Sequence, residues 1–249
     1  MRLWDRLYES VRSAAEDSLV ETVSVGLGYT AVRTDTGGIG LSFTMVDGEA
    51  GCTVVPGDID FEGGPAVDLL SEIRSPRPVL RSMALALINA LNYPIAADLP
   101  EDRSNDGLFD QLGVGEGSRV AMVGYFGPLM GKLTGRGATV EVVDIGREIG
   151  DPAAFNEKLS GWAEVVILTS TSILNGTVDD LLAAVGPEVR VLMMGPSTPM
   201  VASAFDGLPV HLLAGTVPVD ADAVLKAVRH GKGTPVLQKY SRKVYLALD

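Results

Sequence analysis

The second half of the chain alternates short apolar runs with stretches in which apolar residues recur at helical spacing. Short runs with few polar residues are typical of strands buried on both faces, and helices between such strands place them in parallel within one sheet. The pattern therefore predicts a parallel α/β domain over residues 118–249. Its predicted strands are residues 120–123, 139–143, 165–168, 191–194 and 210–213, and its predicted helices are residues 128–135, 152–159, 178–185 and 221–229.

The first part of the chain has a different order, with strands before helices. A predicted amphipathic helix at the N-terminus is followed by residues 20–33, which predict one strand interrupted at Gly26 and Gly28. Residues 39–46 predict the hairpin partner of that strand. Residues 53–55 are a candidate third strand.

Two predicted helices, residues 65–74 and 78–91, complete this part, and each opens with a proline. The order of the elements predicts a small α+β domain over residues 1–92. Residues 93–117 are acidic and show little periodicity, so we expect them to connect the domains, with a short helix near 108–112. For the tail from residue 235 onward, pairing with the sheet and folding back onto the first domain are both open.

The charge and the residue types limit the classes of function. A formal net charge of −12 and a pI of about 4.6 repel phosphate backbones, which argues against a nucleic-acid partner. The N-terminal residues lack a signal-peptide core and no apolar run reaches membrane-spanning length, so we expect a cytoplasmic protein without a membrane partner. With one cysteine, Cys52, and two histidines, His211 and His230, a metal would need oxygen ligands or a bound chelating molecule.

Glycine and hydroxyl residues follow the predicted strands of the second domain. Ligands bind outside the carboxyl ends of parallel strands, so these loops are the first candidates for a binding site. Gly124 and Gly127 let a ligand approach the backbone closely, although they equally suit a tight turn. After the third strand come hydroxyl and amide side chains that suit an anionic or carbonyl-bearing ligand, namely Thr169, Ser170, Thr171, Asn175 and Thr177.

The loops after the third, fourth and fifth strands have further features. Thr177 also fits the N-cap of the following helix, with Asp180 in the capping-box position. Gly195, Ser197 and Thr198 lie in a loop that contains two prolines, which predicts a preorganised contact surface. Residues 214–216 predict a small, permissive loop after the fifth strand.

The second predicted helix of the first domain carries one polar stripe. Arg81, Ser82, Asn89 and Asn92 fall on one side of a helix that is otherwise almost entirely apolar. The stripe faces either solvent or a polar cleft between the domains. In the second case Arg81 and Asn89 are ligand-binding candidates, and Arg81 would bind an anion.

Two acidic patterns have both a functional and a structural interpretation. Asp144 ends the second strand about 20 residues after Gly124, where a Rossmann fold places the acid that binds a nucleotide ribose, but an aspartate there is also a common turn former. Asp58, Asp60 and Glu62 alternate, so in an extended segment they would share one side and could bind a hard cation such as calcium or magnesium. The flanking glycines favour an exposed loop instead.

Several of these segments together resemble a prokaryotic family described as heavy-metal chelation proteins. The resemblance covers almost the whole chain and implies an enolase-N-terminal-like α+β domain followed by a Rossmann-like parallel-sheet domain. It also implies a cleft between the two, lined by the loops above, and a divalent metal or a metal chelate as the associated ligand. Ser170 departs from the family pattern, where a glycine is frequent. The matching pieces are Gly26-x-Gly28-Tyr-Thr30, Gly38-Ile-Gly40, Asn89-Ala90, Gly124-x-x-Gly127, Asn175-Gly-Thr177, Gly195-Pro-Ser-Thr-Pro199 and Leu213-Ala-Gly215.

Three hypotheses of function follow from the sequence. The first is a protein that binds a small anionic or chelating ligand, including a metal complex, with residues 169–177 and 195–200 holding it. The second is an enzyme that uses a nucleotide-type cofactor such as S-adenosylmethionine, with Asp144 on the ribose. The third is a non-catalytic regulatory or scaffold protein, whose partner surface lies elsewhere. Because such folds are often dimers, a homodimer is also expected.

Overall fold

A computed structural model of the chain describes residues 1–46, 48, 54–55 and 57–248. Its first part is a helix followed by a three-stranded antiparallel sheet of order β1-β2-β3. The predicted single strand over residues 20–33 is wrong, because the backbone N–H of Gly26 donates to Tyr29 O at 2.9 Å and closes a tight turn between two strands. The candidate strand at residues 53–55 begins outside the described residues. The elements are α1 (Leu3–Glu16), β1 (Val20–Val25), β2 (Tyr29–Thr34) and β3 (Ile39–Phe43).

Two predicted helices follow this sheet. The first is observed as α2 (Ala66–Ser71) with a 3₁₀ turn, and the second is α3 (Pro78–Leu91). Helix α3 packs directly on β2 and β3, and a Cβ on Gly40 would lie only 2.1 Å from Ala86 O, so only glycine permits this close approach. Arg81, Ser82 and Asn92 are buried, which excludes solvent as the surroundings of the polar stripe.

The connection contains two short helices, α4 (Tyr93–Ala96) and α5 (Asp106–Gln111). The second agrees with the short helix predicted near residues 108–112. Its Leu108 and Phe109 are fully buried in the core of the larger sheet, where each buried side chain of this size stabilises the fold by about 1.5–3 kcal/mol. The second half of the connection is therefore packed against the parallel sheet.

The second part is a six-stranded sheet of order β5-β4-β6-β7-β8-β9, in which the first five strands of that order are parallel and β9 is antiparallel to β8. The parallel sheet predicted from the apolar runs is confirmed. The strands are β4 (Arg119–Val123), β5 (Thr139–Val143), β6 (Val165–Thr169), β7 (Arg190–Met194), β8 (Leu212–Pro218) and β9 (Ser241–Ala247). The helices are α6 (Gly127–Gly135), α7 (Pro152–Gly161), α8 (Thr171–Asn175), α9 (Val178–Ala184), α10 (Ala221–Arg229) and α11 (Thr234–Leu237).

The tail pairs with the sheet, which decides between the two possibilities left open by the sequence. Strand β9 pairs with β8 along its whole length, and β8 runs on to Pro218, so residues 214–216 lie within a strand and the predicted loop there is wrong. The outer edge of β9 is covered by residues 100–102. The N–H of Tyr245 donates to Pro100 O at 3.1 Å, and the N–H of Asp102 donates to Lys243 O at 3.2 Å.

One apolar core joins the two parts of the chain. Residues of α1, α2 and α3 share a single cluster of buried side chains with one face of the six-stranded sheet, while α5 and α6 cover the other face. Because this core is shared, the first sheet is held beside the carboxyl ends of the parallel strands. Within the part of the chain that the structure describes, no helix combines the length and the apolar character needed to cross a bilayer.

Candidate functional site

A cavity of about 1110 Å³ lies between the two sheets. The carboxyl ends of β4, β6 and β7 form its floor, and Tyr29, Phe43 and Met45 reach it from the first sheet. Its size is slightly above the range of about 300–1000 Å³ that is usual for small-molecule sites. The position is also the usual one for ligands of an open parallel sheet.

Most of the candidate residues from the sequence line this cavity, and three do not. Arg81, Asn89 and Thr198 lie away from its wall. The position of the others does not test their role, which stays a prediction. The candidates that line the wall are Gly124, Gly127, Asp144, Thr169, Thr171, Asn175, Thr177, Gly195 and Ser197.

The glycine loop after β4 is held by Asp144. One carboxylate oxygen of Asp144 accepts the N–H of Tyr125 at 2.8 Å, and the other accepts the N–H of Arg147 at 3.1 Å. Gly124 has φ +87°, and a Cβ there would lie 2.8 Å from the Thr169 Cβ, so glycine is required for the loop to pass β6. Asp144 therefore has a structural role in this loop, and its predicted ribose contact remains untested.

The segment after β6 is a short helix rather than an open loop. Thr169 and Thr171 share a hydrogen bond of 2.9 Å between their hydroxyl oxygens, and the Thr177 hydroxyl donates to Asn175 Oδ1 at 2.8 Å. Thr177 is the N-cap residue of α9, as predicted, but its side chain makes no capping hydrogen bond with the first turn of the helix. These polar side chains form local pairs along the cavity wall.

Ser170 stands apart from these pairs. Its side chain is 1% exposed and lines the cavity, and its Oγ has no hydrogen-bond partner among the described residues. Gly195, at φ +134°, lies so close that a Cβ there would be 2.8 Å from Ser170 Oγ. A buried hydroxyl without a partner costs about 1–3 kcal/mol of stability, so the unpaired serine at this wall is a candidate ligand contact.

Ser197 joins the β7 loop to the first sheet. Its Oγ accepts the N–H of Phe43 at 2.7 Å, which leaves the hydroxyl proton available for a second hydrogen bond. The Asn89 amide donates to Leu41 O at 2.8 Å and to Ser197 O at 3.4 Å. Asn89 therefore aligns the two sheets and lies outside the cavity wall.

Arg81 and Thr198 have other surroundings. Arg81 is 6% exposed and donates to Leu174 O and to Ser75 O, each at 2.5 Å, and its guanidinium lies 5.1 Å from the centre of the Trp4 ring. It therefore ties α3 to α8. Thr198 lines a separate void of about 10 Å³ beside Asn89, and this void is no larger than one water molecule.

Sequence reasoning missed several residues of the cavity wall. Asn105 comes from the connection and Lys243 from β9, and Tyr29 and Phe43 meet edge to face with ring centres 6.1 Å apart. The Tyr29 hydroxyl shares a hydrogen bond of 2.6 Å with Thr234, and burial raises the pKa of Tyr29, so the phenol stays protonated. An asparagine within the acidic connection was the one available signal for Asn105.

The residues described in the structure do not form a metal centre of their own. They contain no group of three or more histidine, cysteine or acidic side chains placed to hold a metal ion. The Glu62 carboxylate accepts the N–H of Val23 at 2.7 Å, and Asp60 accepts the N–H of Glu62 at 3.0 Å, so both have structural roles. His211 Nδ1 accepts the N–H of Val191 at 3.1 Å, and Cys52 lies outside the described residues.

The fold and the cavity together define the class of protein to which this chain belongs. The chain is a Rossmann-like α/β protein joined to a small α+β unit, with a cavity where the two meet.

Family models match both parts of the chain. Residues 107–247 match the DUF364 family and residues 8–92 match the DUF4213 family, both described as "Putative heavy-metal chelation". The first match covers more than half of the chain, so this protein belongs to the DUF364 family. The resemblance noted from the sequence is thereby confirmed.

Solved structures show the same fold. A DUF364 protein of unknown function from Pyrococcus horikoshii aligns with a TM-score of 0.79 at 19% identity, covering 99% of this chain and 100% of its own. A second one, from Desulfitobacterium hafniense, aligns with a TM-score of 0.79 at 21% identity and covers 98% of each chain. No curated protein sequence matches the chain.

Proposed function

We propose that this protein binds an organic metal chelator, free or as its metal complex, in the cavity between the two sheets. The metal is held through the chelator, and the side chains of the protein hold the chelator. One observation carries the proposal. A large cavity with a buried, unpartnered hydroxyl at Ser170 occurs in a chain whose described residues include no set of metal-ligating side chains.

The chemistry of the cavity wall supports an oxygen-bearing ligand. Ser170 and Ser197 each have a hydroxyl proton to donate, and the Lys243 ammonium has one described partner, Arg103 O, at the limiting distance of 3.5 Å. Carboxylate and carbonyl oxygens, the usual donor atoms of chelators for hard and borderline metals, accept such hydrogen bonds. Asp144 is also on the wall, but both of its oxygens are already used within the chain.

Isothermal titration calorimetry on tag-free full-length protein tests the proposal. The probes are Ni²⁺ alone, nitrilotriacetate alone and the 1:1 complex of the two. We expect the complex or the free chelator to bind with a 1:1 stoichiometry and Ni²⁺ alone to bind far more weakly. Tight 1:1 binding of Ni²⁺ alone, lost in the Cys52→Ser or His230→Asn variant, would show direct ligation by the protein and contradict the proposal.

S-adenosylmethionine belongs in the same titrations, as the test of the nucleotide-cofactor hypothesis. An Asp144→Ala variant does not separate the two hypotheses, because it also removes the hydrogen bonds that hold the loop at Tyr125. Binding of S-adenosylmethionine without binding of either chelator probe would replace the proposed function with the enzyme hypothesis.

A further inference from the structure

Asn105 is a buried polar residue on the cavity wall whose carboxamide makes no hydrogen bond within the fold. It is 8% exposed, and its carboxamide forms no hydrogen bond with any described residue. Its own N–H donates to Asp102 Oδ1 at 2.8 Å and its C=O accepts the N–H of Phe109 at 3.3 Å. The carboxamide is therefore what this residue contributes to the cavity.

Helix capping does not explain the asparagine at this position. Asn105 is the N-cap residue of α5, and an N-cap asparagine normally accepts hydrogen bonds from the first turn of its helix. Here the Asp102 carboxylate performs that task, because its second oxygen accepts the N–H of Leu108 at 3.1 Å. Asn105 itself has φ +64°, in the left-handed region, and its side chain makes no capping hydrogen bond.

The position of Asn105 is fixed from outside as well. Asp102 is bonded through its N–H to Lys243 O on β9, and Lys132 donates a hydrogen bond to Ser104 O. The segment that precedes Asn105 is thus fastened to strand β9 at Asp102 and to helix α6 at Ser104. Lys243, the strand residue to which it is fastened, lines the same cavity.

We infer that the Asn105 carboxamide contacts the ligand directly and selects the group that faces it, a carboxylate or a carboxamide arm. The inference rests on the proposed function. A carboxamide offers both a donor and an acceptor, so it can donate to a carboxylate and can pair with a carboxamide in both directions. A mostly buried side chain that lines a cavity and has no hydrogen-bond partner in the fold is a feature of functional sites.

Two chelators that differ in one arm test the inference. Nitrilotriacetate has three carboxylates, and N-(2-acetamido)iminodiacetate has a carboxamide in place of one of them. Titration of their Ni²⁺ complexes into tag-free wild type, Asn105→Gly and Asn105→Asp gives six dissociation constants. Glycine adopts the left-handed conformation without strain, so Asn105→Gly keeps the backbone and removes only the carboxamide.

We expect Asn105→Gly to raise the Kd of both complexes about fivefold, the effect of one lost hydrogen bond. Asn105→Asp is expected to raise the Kd of the nitrilotriacetate complex about tenfold or more through repulsion between carboxylates, and that of the acetamido complex about threefold or less. The charge-matched control is Gln111→Glu, on an exposed residue of the connection that does not line the cavity.

The outcomes separate the inference from the proposed function. If both complexes bind wild type but Asn105→Gly changes neither Kd, or if Gln111→Glu shifts the ratio of the two as much as Asn105→Asp does, the inference is overturned and the proposed function stands. If neither complex binds wild type, the proposed function fails and the inference fails with it. A melting temperature for each variant confirms that it is folded.

Discussion

At the scale of the residue, two serines at the end of β6 are equally buried and differ only in their partners. Ser170 and Ser172 are each 1% exposed, and both line the cavity. The Ser172 hydroxyl donates to Thr169 O at 2.7 Å, whereas Ser170 Oγ has no partner among the described residues. On folding, the Ser172 hydroxyl exchanges water for a hydrogen bond within the protein. The Ser170 hydroxyl loses its water and gains no hydrogen bond with the described residues.

This difference predicts opposite effects of the same substitution. Ser170→Ala is expected to leave the free energy of unfolding unchanged or to raise it by about 1 kcal/mol, because it removes an unsatisfied hydroxyl, while Ser172→Ala lowers it by about 1 kcal/mol. Urea unfolding followed by circular dichroism measures both. Ser170→Ala is also expected to weaken binding of the Ni²⁺–nitrilotriacetate complex. If Ser170→Ala is less stable than wild type and binds the complex equally well, Ser170 has no role in ligand binding.

Gly195 is constrained by its conformation and by Ser170 together. Gly195→Ala is expected to cost about 1–3 kcal/mol for the strained backbone, with a further loss from the contact of 2.8 Å with Ser170 Oγ. The double variant with Ser170→Ala removes only the contact. Its loss should therefore be smaller than that of Gly195→Ala alone, and strictly additive effects in a double-mutant cycle would show that the contact has no energetic weight.

At the scale of the element, one hydrogen bond between β7 and the residue that precedes β8 requires the imidazole of His211 to be neutral. His211 Nδ1 accepts the N–H of Val191, so protonation of this nitrogen breaks the hydrogen bond. Partial burial, with a smaller contribution from Arg190, lowers the pKa of His211 below its ordinary value of 6.5. The unfolded chain therefore takes up the proton at a higher pH than the folded protein does.

The direction in which stability changes with pH follows from the lower pKa of His211 in the folded protein. Stability from His211 is complete above the unfolded pKa of about 6.5 and is lost as the pH falls from there toward the lower folded pKa. We expect wild type to lose more stability between pH 7 and pH 5 than His211→Asn, whose carboxamide oxygen accepts the same N–H without titrating. Parallel curves of stability against pH for the two proteins would rule out this account.

The strands β4, β6 and β7 were predictable because each is a short apolar run between helices, and their carboxyl ends located the cavity. The separation of β1 from β2 was missed because the turn at Gly26 is too short to interrupt the pattern of apolar residues. The loops supplied most of the candidate site residues, because glycines and hydroxyl residues that follow a predicted strand can be recognised from the neighbouring sequence alone.

The rest of the site depends on contacts that are distant in sequence. Asn105 lies at the cavity in a segment whose Asp102 pairs with Lys243, and Ser170 lies against Gly195 of the next loop. Arg81 looked like an anion-binding residue, but its guanidinium is used by backbone carbonyls of Leu174 and Ser75. Residue type and spacing do not contain this information.

At the scale of the whole molecule, the cavity exists because two parts of the chain are held together. Asn92 donates to Met200 O at 2.7 Å and the Ser197 Oγ accepts the Phe43 N–H, so the β7 loop is tied to α3 and to β3. Ser197→Ala leaves the Phe43 N–H without its acceptor and is expected to cost about 1–3 kcal/mol. Thermal unfolding should show one lowered transition, because the core is shared. Two separate transitions would contradict that cooperativity.

The central claim is that a chelator is held in the cavity and that the metal is held through it. The most direct measurement is X-ray diffraction from crystals soaked with the Ni²⁺–nitrilotriacetate complex, with the nickel located from its anomalous signal. We predict one nickel site in the cavity, ligated mainly by the chelator, with chelator oxygens near Ser170 and Asn105. A nickel ion held only by protein side chains, or a complex bound outside the cavity while the cavity stays empty, would contradict the account.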